Sequence, residues 1–248
     1  MDVTAIIPAR YASTRLPGKP LIEIAGKPMI RHVCDNVARA RAVSRVVVAT
    51  DDERIAATVR DAGCEVVMTS PDHPSGSDRI AAAARELGIT GAILNVQGDE
   101  PMVDPAMIDR LIDAFHALPG ADCATPVAPI DSMAFLFDPD TPKVVLRDDG
   151  TALYFSRTPI PYFRDRDPEE WLGLHGFYRH IGLYLYTADA LARFVAAPPS
   201  PLEQVEQLEQ LRLLGLGMSI LCVTVDYAGQ AVDSPEDVMR VEMMMGRE

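Results

Sequence analysis

The first half of the chain alternates short β-branched runs with segments that carry apolar residues at helical spacing. The strand-like runs are residues 3–7, Arg45–Thr50, Glu65–Met68 and residues 92–96. The helical patterns cover residues 29–42, a segment that opens at Thr50-Asp51-Asp52-Glu53, and residues 77–88. Strands that alternate with helices in this way predict a parallel sheet joined by right-handed crossovers, with helices packed on the sheet.

The second half is richer in strands and predicts a mixed sheet. The strand-like runs here are Cys123–Pro129, Lys143–Leu146, Ala152–Ser156, residues 181–186 and residues 219–225. Two late helices have clear starts, because Ser200 and Ser234 each precede a proline and stand three residues before an acid. No flexible linker or repeat interrupts the pattern. We predict one α/β domain over residues 1–248, with a mixed, mainly parallel sheet flanked by helices.

Charge and composition exclude several classes of protein. The formal net charge is −13 and the sequence pI is about 4.8, whereas nucleic-acid binding depends on neutralisation of phosphates by Lys and Arg. No apolar run approaches the roughly 20 residues of a membrane span. The strand follows Met1-Asp2 at once, and the four cysteines form no CxxC pair. We therefore expect a cytoplasmic protein with reduced thiols and no nucleic-acid or membrane partner.

A cationic loop follows the first strand and runs against the acidic balance of the chain. Arg10, Arg15 and Lys19 fall within ten residues, among small and turn-forming neighbours. Ligands of open α/β sheets bind at the carboxyl ends of the strands, and a polyphosphate needs cations around its oxygens. The loop therefore favours a nucleotide triphosphate site, and the alternative is a solvated basic loop.

Two aspartates are candidate metal ligands. Asp99 lies in the NVQGDEP segment just after the fourth strand, and Asp233 directly precedes the Ser234-Pro235 helix start. Mg²⁺ prefers carboxylate and phosphate oxygens and keeps several waters, so that one or two aspartates suffice. Each has an ordinary alternative: a turn for Asp99 and a helix cap for Asp233.

Further polar groups stand on otherwise apolar segments. The SGSDR segment at 75–79 fits a base-binding wall or a capped helix start. The segments YFSR (154–157), RHIGLY (179–184) and EQLEQ (206–210) would suit a carboxylated, polyhydroxylated ligand. Alternatively, they hold a core histidine and a solvated helix face. No Walker A motif, GxGxxG after the first strand, GxSxG elbow or HExxH helix is present.

The chain resembles the 3-deoxy-manno-octulosonate (Kdo) cytidylyltransferases along nearly its full length. The resemblance rests on IIPARYASTRLPGKPL, VVVATD, HPSGSDRI, NVQGDEPM, ALYFSR, RHIGLY, SPLEQVEQLEQLRLL and VDSPED. It implies a nucleotidyltransferase fold, a homodimer, Mg²⁺ as cofactor and a role in lipopolysaccharide biosynthesis. The implied reaction joins CTP and Kdo to give CMP-Kdo and pyrophosphate.

The resemblance also implies roles for residues of this chain. The nucleotide-binding set is Ala9, Arg10, Ser13, Arg15, Lys19, Ser75, Arg79 and Asp99. The sugar-binding set is Gln97, Arg157, His180, Tyr184, Glu209 and Gln210. Asp99 and Asp233 are the implied metal ligands, and Arg10, Lys19, Asp99 and Asp233 are the implied catalytic group.

Two other functions stay open at this point. One is a cytidylyltransferase for a different sugar acid, such as an amino variant of Kdo or sialic acid. The other is a non-catalytic nucleotide-binding regulator. Retention of both aspartates and of all three loop cations speaks against the regulator.

Overall fold

Twelve strands and ten helices are present in the described part of the chain. The computed structural model describes residues 2–12, 16–227 and 229–246. The strands are β1 Val3–Ala9, β2 Glu23–Ile24, β3 Lys27–Pro28, β4 Arg45–Thr50, β5 Glu65–Met68, β6 Ala92–Asn95, β7 Cys123–Pro129, β8 Lys143–Leu146, β9 Ala152–Ser156, β10 Tyr178–His180, β11 Tyr184–Thr187 and β12 Ile220–Thr224. The helices are α1 Met29–Ala38, α2 Glu53–Asp61, α3 Gly76–Glu86, α4 Pro105–Ala117, α5 Met133–Phe137, α6 Trp171–Leu174, α7 Ala188–Ala196, α8 Pro201–Glu206, α9 Gln210–Gly215 and α10 Pro235–Met245. Short 3-10 turns cover Lys19–Leu21 and Pro168–Glu170.

Ten of these strands form one mixed sheet. The order is β5–β4–β1–β6–β11–β7–β10–β8–β9, and β12 pairs with β7. β1 lies parallel to β4 and β6, and β4 lies parallel to β5. β11, β10, β8 and β9 continue the sheet with antiparallel pairs. The predicted α/β class is therefore confirmed, with a parallel core and an antiparallel extension.

Helices cover both faces of the sheet and bury its central strand. Along β1, Val3, Ala5 and Ile7 join the cluster that contains α1, α2 and α4, whereas Ile6 joins the cluster that contains α3, α7 and α9. These four side chains have no exposed surface. Burial on both faces of the sheet explains why the sequence of β1 is almost continuously apolar. None of the helices in the described ranges combines the length and apolarity that a membrane crossing requires.

The predicted strand at 181–186 is confirmed only over residues 184–186, which belong to β11. Residues 181–183 separate β11 from β10; both strands pair with β7, and on their other sides β10 pairs with β8 and β11 with β6. The hydroxyl of Thr125 lies 3.1 and 2.8 Å from the carbonyl oxygens of Ile181 and Leu183. At this break, a side-chain hydroxyl therefore replaces the backbone donors of a neighbouring strand. No local sequence pattern predicts such a break.

Two predicted helices are also shorter than expected. α1 ends at Ala38 rather than near residue 42, because Asp109 on α4 binds the backbone N–H of Ala42 at 2.9 Å and the side chain of Arg41 at 3.0 Å. The helix after Ser200 ends at Glu206, and Gln207 takes a left-handed conformation with φ of 53°. α9 then starts in a new direction. Both serine-proline starts form the predicted capping boxes.

Candidate active site

A cavity of about 480 Å³ opens at the carboxyl ends of β1 and β6. Its walls are Pro8, Ala9, Arg10, Lys19, Pro20, His73, Pro74, Ser75, Gly76, Arg79, Gln97, Gly98, Asp99, Glu209 and Asp233. Gly98 lets the loop after β6 approach β1, since a Cβ at this position would lie 2.9 Å from the carbonyl oxygen of Pro8. The cavity lies at the sheet edge where open α/β folds bind ligands.

The ammonium group of Lys19 lies between two carboxylates. Its Nζ is 2.6 Å from Oδ2 of Asp99 and 3.0 Å from Oδ1 of Asp233. Burial lowers the pKa of Lys19, but the charges and hydrogen bonds of the two aspartates outweigh burial and leave this pKa above its ordinary value. Lys19 therefore stays protonated at neutral pH. Lys19 thus forms one charged group with Asp99, which is 80 positions away in sequence, and with Asp233, which is 214 positions away.

The backbone also ties the two acidic loops together. The N–H of Val232 donates to the carbonyl oxygen of Asp99 at 3.0 Å. The N–H of Asp233 donates to the carboxylate of Asp237, which is part of the capping box of α10. The cap of α10 is Ser234, so the alternative that Asp233 is a helix cap is wrong; Asp233 precedes the cap and lines the cavity.

A second link between these loops runs through side chains. The hydroxyl of Tyr227 donates to Glu100 at 2.5 Å. Burial is the main cause that raises the pKa of Glu100 to about 7, against the lowering effect of the Tyr227 hydrogen bond. Arg179 on β10 donates to the carbonyl oxygen of Tyr227 at 3.0 Å. The sequence analysis missed Tyr227, because no motif surrounds it.

The wall opposite the acids contains a buried arginine. Arg79 is 3% exposed, and its guanidinium donates to Asp51 at 2.8 Å and to Thr69 at 2.6 Å. Ser75 caps α3 by accepting a bond from the N–H of Asp78. Asp51 and Thr69 were not foreseen as supports, although Asp51 lies in the quoted VVVATD segment.

Of the predicted sugar-binding residues, Gln97 and Glu209 reach the cavity. Gln97 donates to Asn95 at 3.1 Å, and Ser77 donates to Glu209 at 3.0 Å. Burial is the main cause that raises the pKa of Glu209, and the Ser77 hydrogen bond opposes it. The left-handed turn at Gln207 separates α8 from α9, and Glu209, which follows this turn, lines the cavity.

His180, Tyr184 and Gln210 are not among the cavity walls. Burial lowers the pKa of His180 to about 3, so that its ring is neutral. Its Nε2 lies 3.0 Å from the Thr125 hydroxyl, whose one proton is taken by a neighbouring carbonyl, and the ring is therefore the donor. Nε2 of Gln210 is buried and has no hydrogen-bond partner within the described ranges. Sugar binding by these residues stays a prediction.

Arg157 also lies away from the cavity walls. Its guanidinium donates to the carbonyl oxygens of Glu206 at 2.7 Å, Pro139 at 2.8 Å and Gln207 at 3.1 Å. The last carbonyl groups of a helix lack hydrogen-bond donors within the helix. At the end of α8, Arg157 is the donor to these groups. This geometry gives Arg157 a structural role, and its predicted bond to a sugar carboxylate stays a prediction.

Ser13 and Arg15 of the predicted nucleotide-binding set lie outside the described residues. Ala9, Arg10, Lys19, Ser75, Arg79 and Asp99 all line the cavity. The structure thus gathers the described members of that set around one space.

The two carboxylates suit a divalent cation. Both already converge on one positive group, Lys19 Nζ. No cluster of three or more His, Cys, Asp or Glu side chains with metal-binding geometry exists in the described part of the chain. Two carboxylates completed by phosphate oxygens and water are a common Mg²⁺ environment.

Comparison with known proteins agrees with this arrangement. The cytidylyltransferase family profile matches residues 4–220. The 3-deoxy-manno-octulosonate cytidylyltransferase of Geobacter sulfurreducens is 48% identical, with 97% of this chain and 98% of the relative aligned. The enzyme of the same name from Cytophaga hutchinsonii is 47% identical, with 97% and 96% aligned. A solved CMP:2-keto-3-deoxy-manno-octonic acid synthetase complexed with CTP superposes with a TM-score of 0.93 at 38% identity, over 100% of this chain and 99% of that one.

Proposed function

Because this chain belongs to the cytidylyltransferases, and among them to the 3-deoxy-manno-octulosonate cytidylyltransferases, we propose that it transfers CMP from CTP to Kdo. The C2 hydroxyl of Kdo attacks the α-phosphorus of CTP. The bond from that phosphorus to the bridging oxygen of pyrophosphate breaks, and the hydroxyl proton is released. The products are CMP-Kdo and pyrophosphate, and no covalent intermediate with the protein is needed.

One observation carries this proposal: Lys19, Asp99 and Asp233 converge in a cavity that Arg10 and Arg79 also line. Phosphoryl-type transfer depends mainly on positioning and on stabilisation of charge. Arg10 and Lys19 place positive charge where a triphosphate would lie. These cations would stabilise the charge that develops on the departing pyrophosphate.

We propose Mg²⁺ as the cofactor, held by Asp99 and Asp233. Bound there, it would supply Lewis-acid stabilisation of phosphate charge and a lower pKa for a coordinated hydroxyl. The chain's own contribution is the pair of loops that presents both carboxylates to one point. The link from Val232 to Asp99 and the capping box of α10 fix those loops.

Arg79 and Ser75 are proposed to face the cytosine base. The guanidinium of Arg79 is fixed by Asp51 and Thr69, and such a preorganised wall discriminates by leaving buried groups unpaired with the wrong base. Gln97 and Glu209, on the same cavity, are the proposed hydroxyl partners of the sugar acid.

The decisive experiment is pyrophosphate release with CTP and a panel of sugar acids, with and without Mg²⁺. We expect turnover with Kdo that depends on Mg²⁺ and falls sharply with sialic acid. Equal or better turnover with an amino variant of Kdo would reassign the acceptor and keep the reaction class. Tight CTP binding without turnover on any acceptor would contradict the enzyme proposal.

We also propose a homodimer. Partly exposed apolar side chains cluster around the largely buried Trp171, including Phe137 at 48% and Tyr162 at 77% exposure. Such a patch on one face favours association with a second copy. Sedimentation equilibrium over a range of concentrations measures the mass, and a monomer at micromolar concentration would contradict the dimer.

A cytoplasmic location and a role in lipopolysaccharide biosynthesis complete the proposal. All four cysteines are free thiols, which fits a reducing compartment. Cell fractionation, together with depletion of the protein followed by analysis of lipopolysaccharide, tests both points. A periplasmic protein or unchanged lipopolysaccharide would contradict them.

A further inference from the structure

Tyr227 is held at three places in the chain segment that leads to Asp233. Its carbonyl oxygen accepts from Arg179 at 3.0 Å, and its hydroxyl donates to Glu100 at 2.5 Å. Its ring lies against Gly229, where a Cβ would be 2.6 Å from ring atoms. A side chain anchored at its backbone, its ring and its hydroxyl has little freedom to move.

The partner of this hydroxyl is the residue next to Asp99. Glu100 is partly buried, and its carboxylate is directed to Tyr227 rather than to Lys19. The bond therefore joins the loop that carries Asp99 to the segment that carries Asp233. Among the described residues, the backbone bond from Val232 to Asp99 and the two ion pairs of Lys19 also connect these loops. A metal ion bound between the two carboxylates would displace Lys19, whereas the Val232 and Tyr227 bonds do not involve the carboxylates and would continue to hold the loops together.

We propose that Tyr227 and Glu100 are positioning residues that set the separation of Asp99 and Asp233 for a divalent cation. The inference rests on the proposed metal site and goes beyond its ligands. Neighbours that orient metal ligands contribute to metal affinity without touching the metal. Loss of the Tyr227 hydroxyl keeps both carboxylates but removes one of the links that hold their loops together once a cation has displaced Lys19.

The primary test is the Tyr227→Phe variant, which removes one hydroxyl and changes no charge. Mn²⁺ binding in the presence of CTP is measured by electron paramagnetic resonance, and the Mg²⁺ concentration for half-maximal turnover is measured alongside. We expect Mn²⁺ binding to weaken by about tenfold or more, with KM for CTP at saturating Mg²⁺ changing much less. The matched control is Tyr178→Phe, which also loses a hydroxyl, but one that forms no hydrogen bond with any of the residues that the structure describes. It should bind Mn²⁺ as the native protein does.

Two further variants separate the bond from charge and from folding. Glu100→Gln keeps an acceptor oxygen but loses the charge, so it should retain most of the native affinity for Mn²⁺. The double variant Glu100→Met/Tyr227→Phe removes both partners, which leaves no polar group unpaired and favours a folded protein. It should show the same weakening as Tyr227→Phe.

The outcomes decide between the inference and the proposed function. Native Mn²⁺ affinity in folded Tyr227→Phe, or in the double variant if the single one does not fold, would overturn the positioning role. Asp99→Asn tests the metal site itself, through the same Mn²⁺ titration. If Asp99→Asn binds Mn²⁺ like the native protein, the metal site fails. If Asp99→Asn loses binding while Tyr227→Phe keeps it, only the positioning role fails.

Discussion

Replacement of Lys19 by Met should change metal binding and catalysis in opposite directions. The ammonium group of Lys19 forms ion pairs with Asp99 at 2.6 Å and with Asp233 at 3.0 Å, the two carboxylates that we propose as metal ligands. A hydrogen bond between charged groups contributes about 1.5–3 kcal/mol net, and the more exposed contact to Asp233 contributes about 0.2–1 kcal/mol. A cation that enters between the carboxylates has to displace these bonds.

Without Lys19, the two carboxylates also repel each other. At an effective dielectric constant of about 20, two unit charges some 5–6 Å apart repel by about 3 kcal/mol. A divalent cation relieves that repulsion. Mn²⁺ should therefore bind nucleotide-free Lys19→Met more tightly than the native protein, by about tenfold or more, since about 1.4 kcal/mol corresponds to a factor of ten.

The same variant should lose catalytic efficiency. Removal of one preorganised cation from a site of developing charge costs about 2–4 kcal/mol in kcat/KM. The assays are Mn²⁺ titration without nucleotide and steady-state kinetics with CTP. Lys27→Met is the matched control, because Lys27 forms a comparable 2.7 Å pair with Asp35 away from the cavity. Weaker Mn²⁺ binding by Lys19→Met, or unchanged kcat/KM, would refute this account of the charged group.

Four further outcomes are expected. Asp99→Asn and Asp233→Asn should each abolish Mg²⁺-dependent turnover in a protein with a native circular dichroism spectrum, and near-native rates in either variant would remove that residue from the metal site. CTP should be used in preference to UTP, a claim that equal kcat/KM for the two nucleotides would end. Arg157→Lys should lower Tm, because the guanidinium that donates to three backbone carbonyls is lost; an unchanged Tm would contradict this structural role, and a raised KM for Kdo would support the predicted sugar binding. His180 is neutral when folded, with a pKa of about 3, whereas the unfolded chain binds a proton below about pH 6.5. Stability should thus fall as the pH drops below 6.5, by about 1.4 kcal/mol at pH 5.5 from this group; urea unfolding of His180→Gln should show a shallower dependence, and an equal slope would contradict the assignment.

Local features of the fold could be predicted because they depend on neighbours in sequence. Arg45–Thr50 and Cys123–Pro129 form strands with the predicted bounds, since β-branched and apolar runs favour the extended, buried conformation. The starts of α8 and α10 were predicted as well, because a capping box is made by residues three positions apart. The ends of helices could not be predicted as well from the sequence. α1 ends at Ala38, and the backbone N–H of Ala42, four residues later, donates to Asp109 of another helix.

The candidate site shows the same division. Arg10, Lys19 and Asp99 line the cavity as the sequence predicted, because they follow strands that are evident from the sequence. The roles of Arg157 and His180 were taken from the resemblance, and the structure places both away from the cavity walls. In each case a contact between distant segments determines the position of the side chain. Arg157 donates to carbonyl groups at the end of α8, and His180 bonds to the Thr125 hydroxyl at the break between β10 and β11.

The sequence by itself therefore determined the alternation of strands and helices, the helix caps and the chemical character of the loop after β1. Each of these depends on residues within a few positions of one another. Only the tertiary structure decided that Lys19 lies between Asp99 and Asp233 and that Tyr227 reaches Glu100. These contacts join segments 80 to 214 positions apart. Their distances depend on how the sheet and its loops pack together, and no local pattern of residues contains that information.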